Sequence, residues 1–348
     1  MLHHGFLFAS SGSGAGRLWL SFTNSCWVGV DLFFVLSGFL ITGILLRSRD
    51  DKSYFFTFYM RRVFRIFPLY FAYLACLAVL AIAFHPDGLG VLALPWTVSY
   101  LANVDTALNG WPWTPIAGLW SLSVEEQFYA VWPMLLRLLP RRAILGSICG
   151  LAFAFPLVRV FLAERGPDGT TYTYTLLHLD GLLIGAVFAI VRTRLATHPW
   201  TPFLARIFAL SSTLALVALA AWRGVHWQEF YRFRSFGYTV IALWGVSLIA
   251  VSIYSGAGSS INSILRIRVL QTLGKYSYAL YLFHGTVLYG MDLYRPLPDS
   301  IALHALYLAI SAAIALGLAW VSWNILERPC LALKERRFPT GASALEVR

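Results

Sequence analysis

The chain has 348 residues, of which 58% are hydrophobic and only 12% are charged. Soluble domains contain about 45–50% apolar and about 25% charged residues, so this composition excludes an ordinary soluble domain and indicates a polytopic membrane protein. The formal net charge of +11 would also suit a protein that binds nucleic acid, and the placement of the cations decides between the two.

A transmembrane helix needs about 20 predominantly apolar residues. A stub, "MLHHGFLFA", interpreted as the outer end of a first helix, precedes a series of such segments. We predict an all-α, polytopic integral membrane protein with about ten transmembrane helices, the first of which is truncated at the N-terminus. Residues 1–337 would form the membrane-embedded domain and residues 338–348 a short cytoplasmic tail. The apolar segments lie near residues 28–46, 64–84, 124–139, 143–163, 176–192, 204–222, 236–255, 270–290 and 303–325.

The cations are distributed unevenly between the loops. When alternate loops are counted from the stub, 20 of the 27 Lys and Arg residues fall on one side of the membrane. The positive-inside rule assigns that side to the cytoplasm, so the basic charge reports topology and nucleic acid is not expected as a partner. Residues 47–63 would form a basic cytoplasmic loop, and residues 85–123 an outer segment that dips back toward the bilayer.

Carboxylates border several of the apolar segments. A charge at a helix centre costs about 2.5–3.5 kcal/mol even on insertion scales, so Asp31, Glu125, Glu126 and Asp180 require a partner or a task. All four fall in the outer halves of their segments, which suggests a shared polar cavity. Neighbours on a helix diverge by about 100°, so one of Glu125 and Glu126 faces inward and the other the aqueous boundary. Alternatively, both only cap the positive end of a helix.

Histidines are the side chains best suited to proton transfer near neutral pH. His3 and His4 near the N-terminus could serve a carboxylate in this way, or they could be polar surface residues. His284 lies within an apolar segment, three residues after Tyr281. It either forms a hydrogen bond between helices or contacts substrate.

The basic stretch within residues 58–68 contains three arginines at helical spacing. Arg61, Arg62 and Arg65 can fan toward one anion, because residues three and four apart share a helix face. Guanidinium groups suit phosphate geometry. A plain cytoplasmic anchor that contacts lipid headgroups is the alternative.

Small residues recur at a spacing of four. Gly181 with Gly185 forms a GxxxG pair, and Gly38 with Thr42 forms a related pair. Such pairs allow two membrane helices to approach closely. We therefore expect these residues to form contact faces between helices.

Six segments together resemble the acyltransferase-3 family, the integral-membrane O-acyltransferases of bacterial surface polysaccharides. They occur in family order and spacing across nearly the whole chain, and their coincidence is specific to that family. The segments are "GVDLFFVLSGFLITG" (29–43), "FYMRRVFRIFPLY" (58–70), "WSLSVEEQFY" (120–129), "HLDGLLIGAVFA" (178–189), "LGKYSYALYLFH" (273–284) and "WNILERP" (323–329).

The resemblance implies roles for particular residues. His3 corresponds to the family's essential histidine near the outer part of the first helix, with His4 as its neighbour. Glu125 corresponds to the acid of the fourth-helix motif. Arg62 and Arg65 correspond to the paired arginines of the basic loop, where the phosphates of the donor would bind.

One departure from the family pattern concerns the N-terminus. The family's first helix begins well before its histidine and carries a basic residue about three turns upstream, whereas this sequence starts two residues before His3. We expect the true start to lie upstream; the alternative is a catalytically impaired relative. After the last apolar segment, no fused extracytoplasmic esterase-like domain is expected.

These observations predict a membrane O-acyltransferase of the bacterial plasma membrane, surrounded by lipids. It would move an acyl group, expected to be acetyl, from acyl-CoA to a hydroxyl of a carbohydrate or glycolipid such as lipopolysaccharide. Acetyl-CoA would be a co-substrate, with no permanently bound cofactor and no metal.

His3 would act as general base beside Glu125, or would itself be acylated; a multi-pass transporter is the alternative function. The donor phosphates would bind Arg61, Arg62 and Arg65, and the acceptor would contact Asp31, Glu126, Asp180 and His284.

Overall fold

The computed structural model of the protein describes residues 25–84, 94–112, 114–163, 173–223, 231–256, 258–294 and 301–338. Within these ranges all regular elements are helices. The helices are α1 Val28–Arg47, α2 Tyr54–Phe84, α3 Leu94–Val98, α4 Ala102–Asn109, α5 Thr114–Ala117, α6 Leu119–Leu138, α7 Arg141–Ala163, α8 Thr175–His178, α9 Asp180–Leu195, α10 Thr201–Arg223, α11 Tyr231–Tyr254, α12 Ser260–Leu265, α13 Arg268–Tyr294, α14 Ile301–Ser322, a π-helical turn Trp323–Glu327, and α15 Arg328–Arg337.

Eight of the nine predicted apolar segments overlap a single long helix, and the segment 176–192 is divided between the short α8 and α9. Six helices in the described ranges are long and apolar enough to cross a membrane, which agrees with the predicted polytopic all-helical fold. The number of about ten crossings stays a prediction. The six candidate spans are Val28–Arg47, Tyr54–Ala83, Arg141–Phe161, Thr201–Ala218, Gly237–Tyr254 and Leu303–Arg337.

Helix α2 begins well before the apolar segment that the sequence predicts. Its first turns carry aromatic residues that attach it to α6: the hydroxyl of Tyr54 donates to the carbonyl of Pro133 at 3.1 Å, and that of Tyr59 to the carbonyl of Ala130 at 2.7 Å. The second half of the predicted loop 47–63 is therefore helical. The three arginines of the basic stretch lie on this continuous helix.

Helices α1 and α9 pack closely through glycines. A Cβ atom on Gly38 of α1 would overlap the backbone of Leu182 on α9, and one on Gly185 of α9 would overlap the backbone of Val35 on α1. Gly181 also faces α1, where an added Cβ atom would lie 3.2 Å from the Cβ atom of Phe34. The prediction that these glycines form a contact face between helices is confirmed.

Helix α6 is enclosed between two apolar clusters. One cluster joins it to α1 and α9 and contains Phe34, Trp120 and Leu182. The other joins it to α2 and α13 and contains Tyr70 and Leu282. The "WSLSVEEQFY" segment, which forms the first half of α6, is thus surrounded by other helices and can line an interior site.

A π-helical turn separates α14 from α15. This wider turn shifts the face that the following residues present, and such turns are frequent at functional sites. Glu327, its last residue, is buried and accepts a hydrogen bond of 2.9 Å from the hydroxyl of Ser322. Helix α15 then packs against α2.

Candidate functional site

Glu125 is the buried carboxylate of the α6 motif. Its side chain is 4% exposed, and Tyr129, one turn later, donates a hydrogen bond of 3.0 Å to its Oε1 atom. The hydroxyl of Ser37 on α1 forms a hydrogen bond with the same tyrosine hydroxyl. Glu126 is only partly buried, so the two neighbours differ in exposure as predicted, and a position of Glu126 at the aqueous boundary stays a prediction.

Arg62 on α2 packs against the ring of Tyr129. Its guanidinium lies 4.4 Å from the ring centre of Tyr129 and 5.8 Å from that of Phe58. It has no ion pair among the described residues. Tyr129 therefore contacts a cation on its face and a carboxylate at its hydroxyl, and it connects α2 to Glu125.

The other two arginines of the basic stretch take different directions. Arg61 donates to both carboxylate oxygens of Glu335 on α15, at 2.8 and 3.1 Å, and to the carbonyl of Phe338. Arg65 is exposed, forms no ion pair in the described part of the chain, and has Arg62 and Glu327 among its electrostatic neighbours. The structure therefore brings Arg62 and Arg65 together, whereas Arg61 turns toward the C-terminal helix.

Asp31 and Asp180 belong to a second buried cluster. Asp31 on α1 forms a hydrogen bond of 2.8 Å with His178, and Asp180 on α9 accepts bonds of 2.8 and 3.4 Å from Arg159 on α7. Thr239 on α11 donates to Asp180 at 2.6 Å. Side chains from four helices, with His178 at the end of α8, are thus held around these acids.

Two aromatic rings pack against the histidine of this second cluster. The ring centres of Phe34 and Trp120 lie 5.2 and 5.7 Å from that of His178, and 6.1 Å from each other. Asp31 and Ser37, which belong to different clusters, are six residues apart on α1, about 9 Å along the helix. The described hydrogen bonds thus hold Asp31 and Asp180 in one cluster and Glu125 in another. The shared cavity that the sequence suggests stays a prediction.

His284 lies where α13 meets the start of α6. Its Nδ1 atom is 2.6 Å from the carbonyl of Tyr281, and the hydroxyl of Tyr281 donates to the carbonyl of Gly118 at 2.8 Å. Ser121 contacts the same hydroxyl. The bonds of the Tyr281 hydroxyl attach α13 to the start of α6. A contact between His284 and substrate stays a prediction.

The remaining predicted residues, His3 and His4, lie outside the described residues. Their proposed meeting with Glu125 is therefore a prediction that rests on the sequence.

Some members of these clusters were not singled out from the sequence. Tyr129 follows Glu125 by four residues, the spacing that places two side chains on one helix face, so this contact could have been found. His178 precedes Asp180 by two residues in the "HLDG" motif. Arg159 carries no such local signal, because only the packing of α7 against α9 brings it to Asp180.

Comparison with known proteins gives matches over most of the chain. Residues 1–324 match a family described as "Acyltransferase domain". The chain is 27% identical over 294 residues to the peptidoglycan O-acetyltransferase OatA of Listeria monocytogenes, a match that covers 79% of this chain and 47% of that protein. It is 26% identical over 303 residues to the O-acetyltransferase OatA of Staphylococcus aureus, which covers 79% of this chain and 48% of that protein. The chain thus spans about half the length of the curated relatives it matches. No solved structure matches it.

Proposed function

The chain belongs to the acyltransferase domain family, and from that premise we propose that it is a membrane O-acyltransferase that moves an acetyl group from acetyl-CoA to a hydroxyl of a carbohydrate acceptor. The observation that carries the proposal is the meeting of Arg62, Tyr129 and Glu125 in the interior of the helical bundle. We call the interface between α2 and α6 the seam. Along it lie a buried carboxylate and arginines that form no ion pair among the described residues.

We assign the donor phosphates to Arg62 and Arg65. Both guanidinium groups lack an ion pair among the described residues, so both are available to pair with an anion. The phosphates of CoA would supply that pairing, with the bidentate geometry that arginine favours. Arg61 already binds Glu335, so its proposed role is to anchor α15 against α2.

The proposed reaction needs a base for the acceptor. In this proposal His3 removes the proton of the acceptor hydroxyl, the hydroxyl oxygen attacks the thioester carbonyl, and the CoA thiolate leaves and takes up a proton. Glu125, held by Tyr129, stabilises the imidazolium that forms. The acylated-histidine variant differs only in that the imidazole attacks first and the hydroxyl then displaces it.

The acceptor is proposed to be a carbohydrate polymer of the bacterial envelope. The Listeria relative is named for its action on peptidoglycan, and a chain with several membrane-crossing candidates would present its acceptor side outside the plasma membrane. The acetyl group follows from the names of the same relatives.

Acetyl transfer in a reconstituted system tests the proposal. The full chain in proteoliposomes receives radiolabelled acetyl-CoA on the cytoplasmic face and the repeating disaccharide of peptidoglycan on the other. The expected product is the O-acetylated disaccharide, formed in step with free CoA. If neither CoA release nor labelled glycan exceeds the level of empty liposomes, the proposed function is wrong.

A further inference from the structure

Tyr100 occupies a backbone conformation that few side chains adopt. Its φ angle is +55°, in the left-handed region that disfavours residues other than glycine. Its ring stacks on Tyr70 at 4.5 Å with an interplanar angle of 16°, and Phe67 lies 5.9 Å away. Gln127 on α6 donates to the carbonyl of Tyr100 at 2.8 Å. The surroundings thus hold Tyr100 in a strained position, a feature that clusters at functional sites.

The hydroxyl of Tyr100 is buried and has no hydrogen-bond partner among the described residues. Two nearby tyrosines differ in this respect: Tyr70 donates to the carbonyl of Thr97 at 2.8 Å, and Tyr278 donates to the carbonyl of Ile66 at 3.0 Å. A buried hydroxyl without a partner loses its hydrogen bonds to water, so native structures rarely leave one. The Tyr100 hydroxyl is therefore the one of these three that can bind a ligand.

Glu126 directly precedes Gln127, which donates to the backbone of Tyr100. The phenol groups of Tyr70, Tyr100 and Tyr278 all have Glu126 among their electrostatic neighbours, yet no described residue forms a hydrogen bond with its carboxylate. In the described part of the chain, the Glu126 carboxylate and the Tyr100 hydroxyl thus lie on segments joined by the Gln127 bond, and neither has a hydrogen-bond partner there. A group that both donates and accepts hydrogen bonds would satisfy the two together.

The position of this pair points to the acceptor side. Tyr70, on which Tyr100 stacks, follows Arg62 by eight residues on α2, about 12 Å along the helix and away from its cytoplasmic start. A phosphate would be repelled by Glu126, whereas a sugar hydroxyl can donate to that carboxylate and accept from the phenol. The donor phosphates and this pair therefore belong to different ends of one seam.

We propose that Tyr100 and Glu126 together bind one hydroxyl of the carbohydrate acceptor, on the outer side of Glu125. The inference rests on the proposed function, since it names the subsite that orients the acceptor for transfer. Tyr100 is a specificity-determining residue in this arrangement: the aromatic stack and the bond from Gln127 fix its hydroxyl before the acceptor arrives.

The test compares Tyr100→Phe with the wild-type chain in acetyl transfer to the peptidoglycan disaccharide. This variant removes one oxygen and keeps the aromatic stack. We expect the KM for the disaccharide to rise about tenfold and the KM for acetyl-CoA to stay within about twofold. An unchanged KM for the disaccharide, or an equal rise of both constants, overturns the proposal. Tyr254→Phe is the matched control, because its hydroxyl binds the carbonyl of Arg192 at a distance from this seam.

Calorimetric binding of the disaccharide separates this inference from the proposed function. If the wild-type chain transfers no acetyl group, the function fails, and weaker binding to Tyr100→Phe than to wild type still supports the subsite. Equal binding, or no binding to wild type, overturns it. The double variant Tyr100→Phe/Glu126→Gln tests whether the two residues bind the same hydroxyl. We expect its fold-loss of affinity for the disaccharide to be smaller than the product of the two single fold-losses. A fold-loss equal to that product contradicts a shared ligand group.

Discussion

The guanidinium of Arg62 lies 4.4 Å from the ring centre of Tyr129. The hydroxyl of that tyrosine donates to Glu125, so a single side chain contacts both the cation and the carboxylate. Cation–π contacts contribute about 0.5–2 kcal/mol, with the larger values in desolvated sites. Tyr129 therefore couples the position of the proposed donor site on α2 to the carboxylate on α6.

Replacement of Tyr129 with Phe should slow the chemical step. The variant keeps the ring beneath Arg62 but removes the hydrogen bond to Glu125, and a bond to a charged group contributes about 1.5–3 kcal/mol. We expect kcat to fall roughly 10- to 100-fold, with little change in the KM for acetyl-CoA, as measured by acetyl transfer over a range of acetyl-CoA concentrations.

Tyr59→Phe provides the control for this prediction. Its hydroxyl also bonds across from α2 to α6, to the carbonyl of Ala130, but it touches neither Glu125 nor an arginine in the described structure. It should lower stability slightly and leave kcat near the wild-type value. Equal losses of kcat in the two variants would mean that Tyr129 serves only helix packing.

Replacement of Arg62 with Gln should weaken donor binding. The variant removes a charged partner of the proposed CoA phosphates, which is worth about 1.5–3 kcal/mol per hydrogen bond. We expect the KM for acetyl-CoA to rise at least about tenfold. The measurement is the initial rate of CoA release against donor concentration.

Acetyl-pantetheine, which lacks the nucleotide phosphates, is the matched substrate for that test. Wild type and Arg62→Gln should use it with similar KM, because the group that distinguishes them is absent. Arg142→Gln, at an exposed position at the start of α7, should behave as wild type with both donors. A similar loss with both donors would exclude phosphate binding as the role of Arg62.

The sequence predicts the helices better than their contacts. Periodicity and apolar length locate each long helix, because the membrane requires such segments to be helical. The start of α2 is missed, since Tyr54 is held in place by a carbonyl of another helix, Pro133. Partners in sequence-distant helices leave no local pattern.

The same distinction applies to the candidate site. The spacing of Arg62 and Arg65 and the divergence of Glu125 from its neighbour follow from helical geometry. The pairing of Asp180 with Arg159 does not, because only the packing of α7 against α9 brings the two side chains together. Depth along the membrane can be counted from sequence, whereas lateral neighbours cannot.

Gly38→Ala should destabilise the contact between α1 and α9. An added methyl group would overlap the backbone of Leu182, and a clash with backbone cannot be relieved by rotation of a side chain. Overpacking costs about 1–3 kcal/mol, which thermal unfolding in detergent would report as a lower Tm. Gly146→Ala is the control, because nothing lies within 4 Å of its added methyl group and alanine favours a helix. Equal Tm values for the two variants would contradict the close packing of these helices.

Arg159→Leu should destabilise the protein far more than loss of an exposed arginine. Its guanidinium and the carboxylate of Asp180 are 0% and 1% exposed. The variant therefore leaves a buried carboxylate whose remaining hydrogen-bond donor among the described residues is Thr239. Loss of one partner of a buried pair costs about 3–5 kcal/mol. The double variant Arg159→Leu/Asp180→Asn removes the stranded charge and should regain much of the loss.

Arg141→Leu, whose pair with Asp50 is exposed, is the control and should cost about 0–1 kcal/mol. If the single and double variants unfold at the same Tm, charge burial does not explain the cluster, and Arg159 contributes through packing alone.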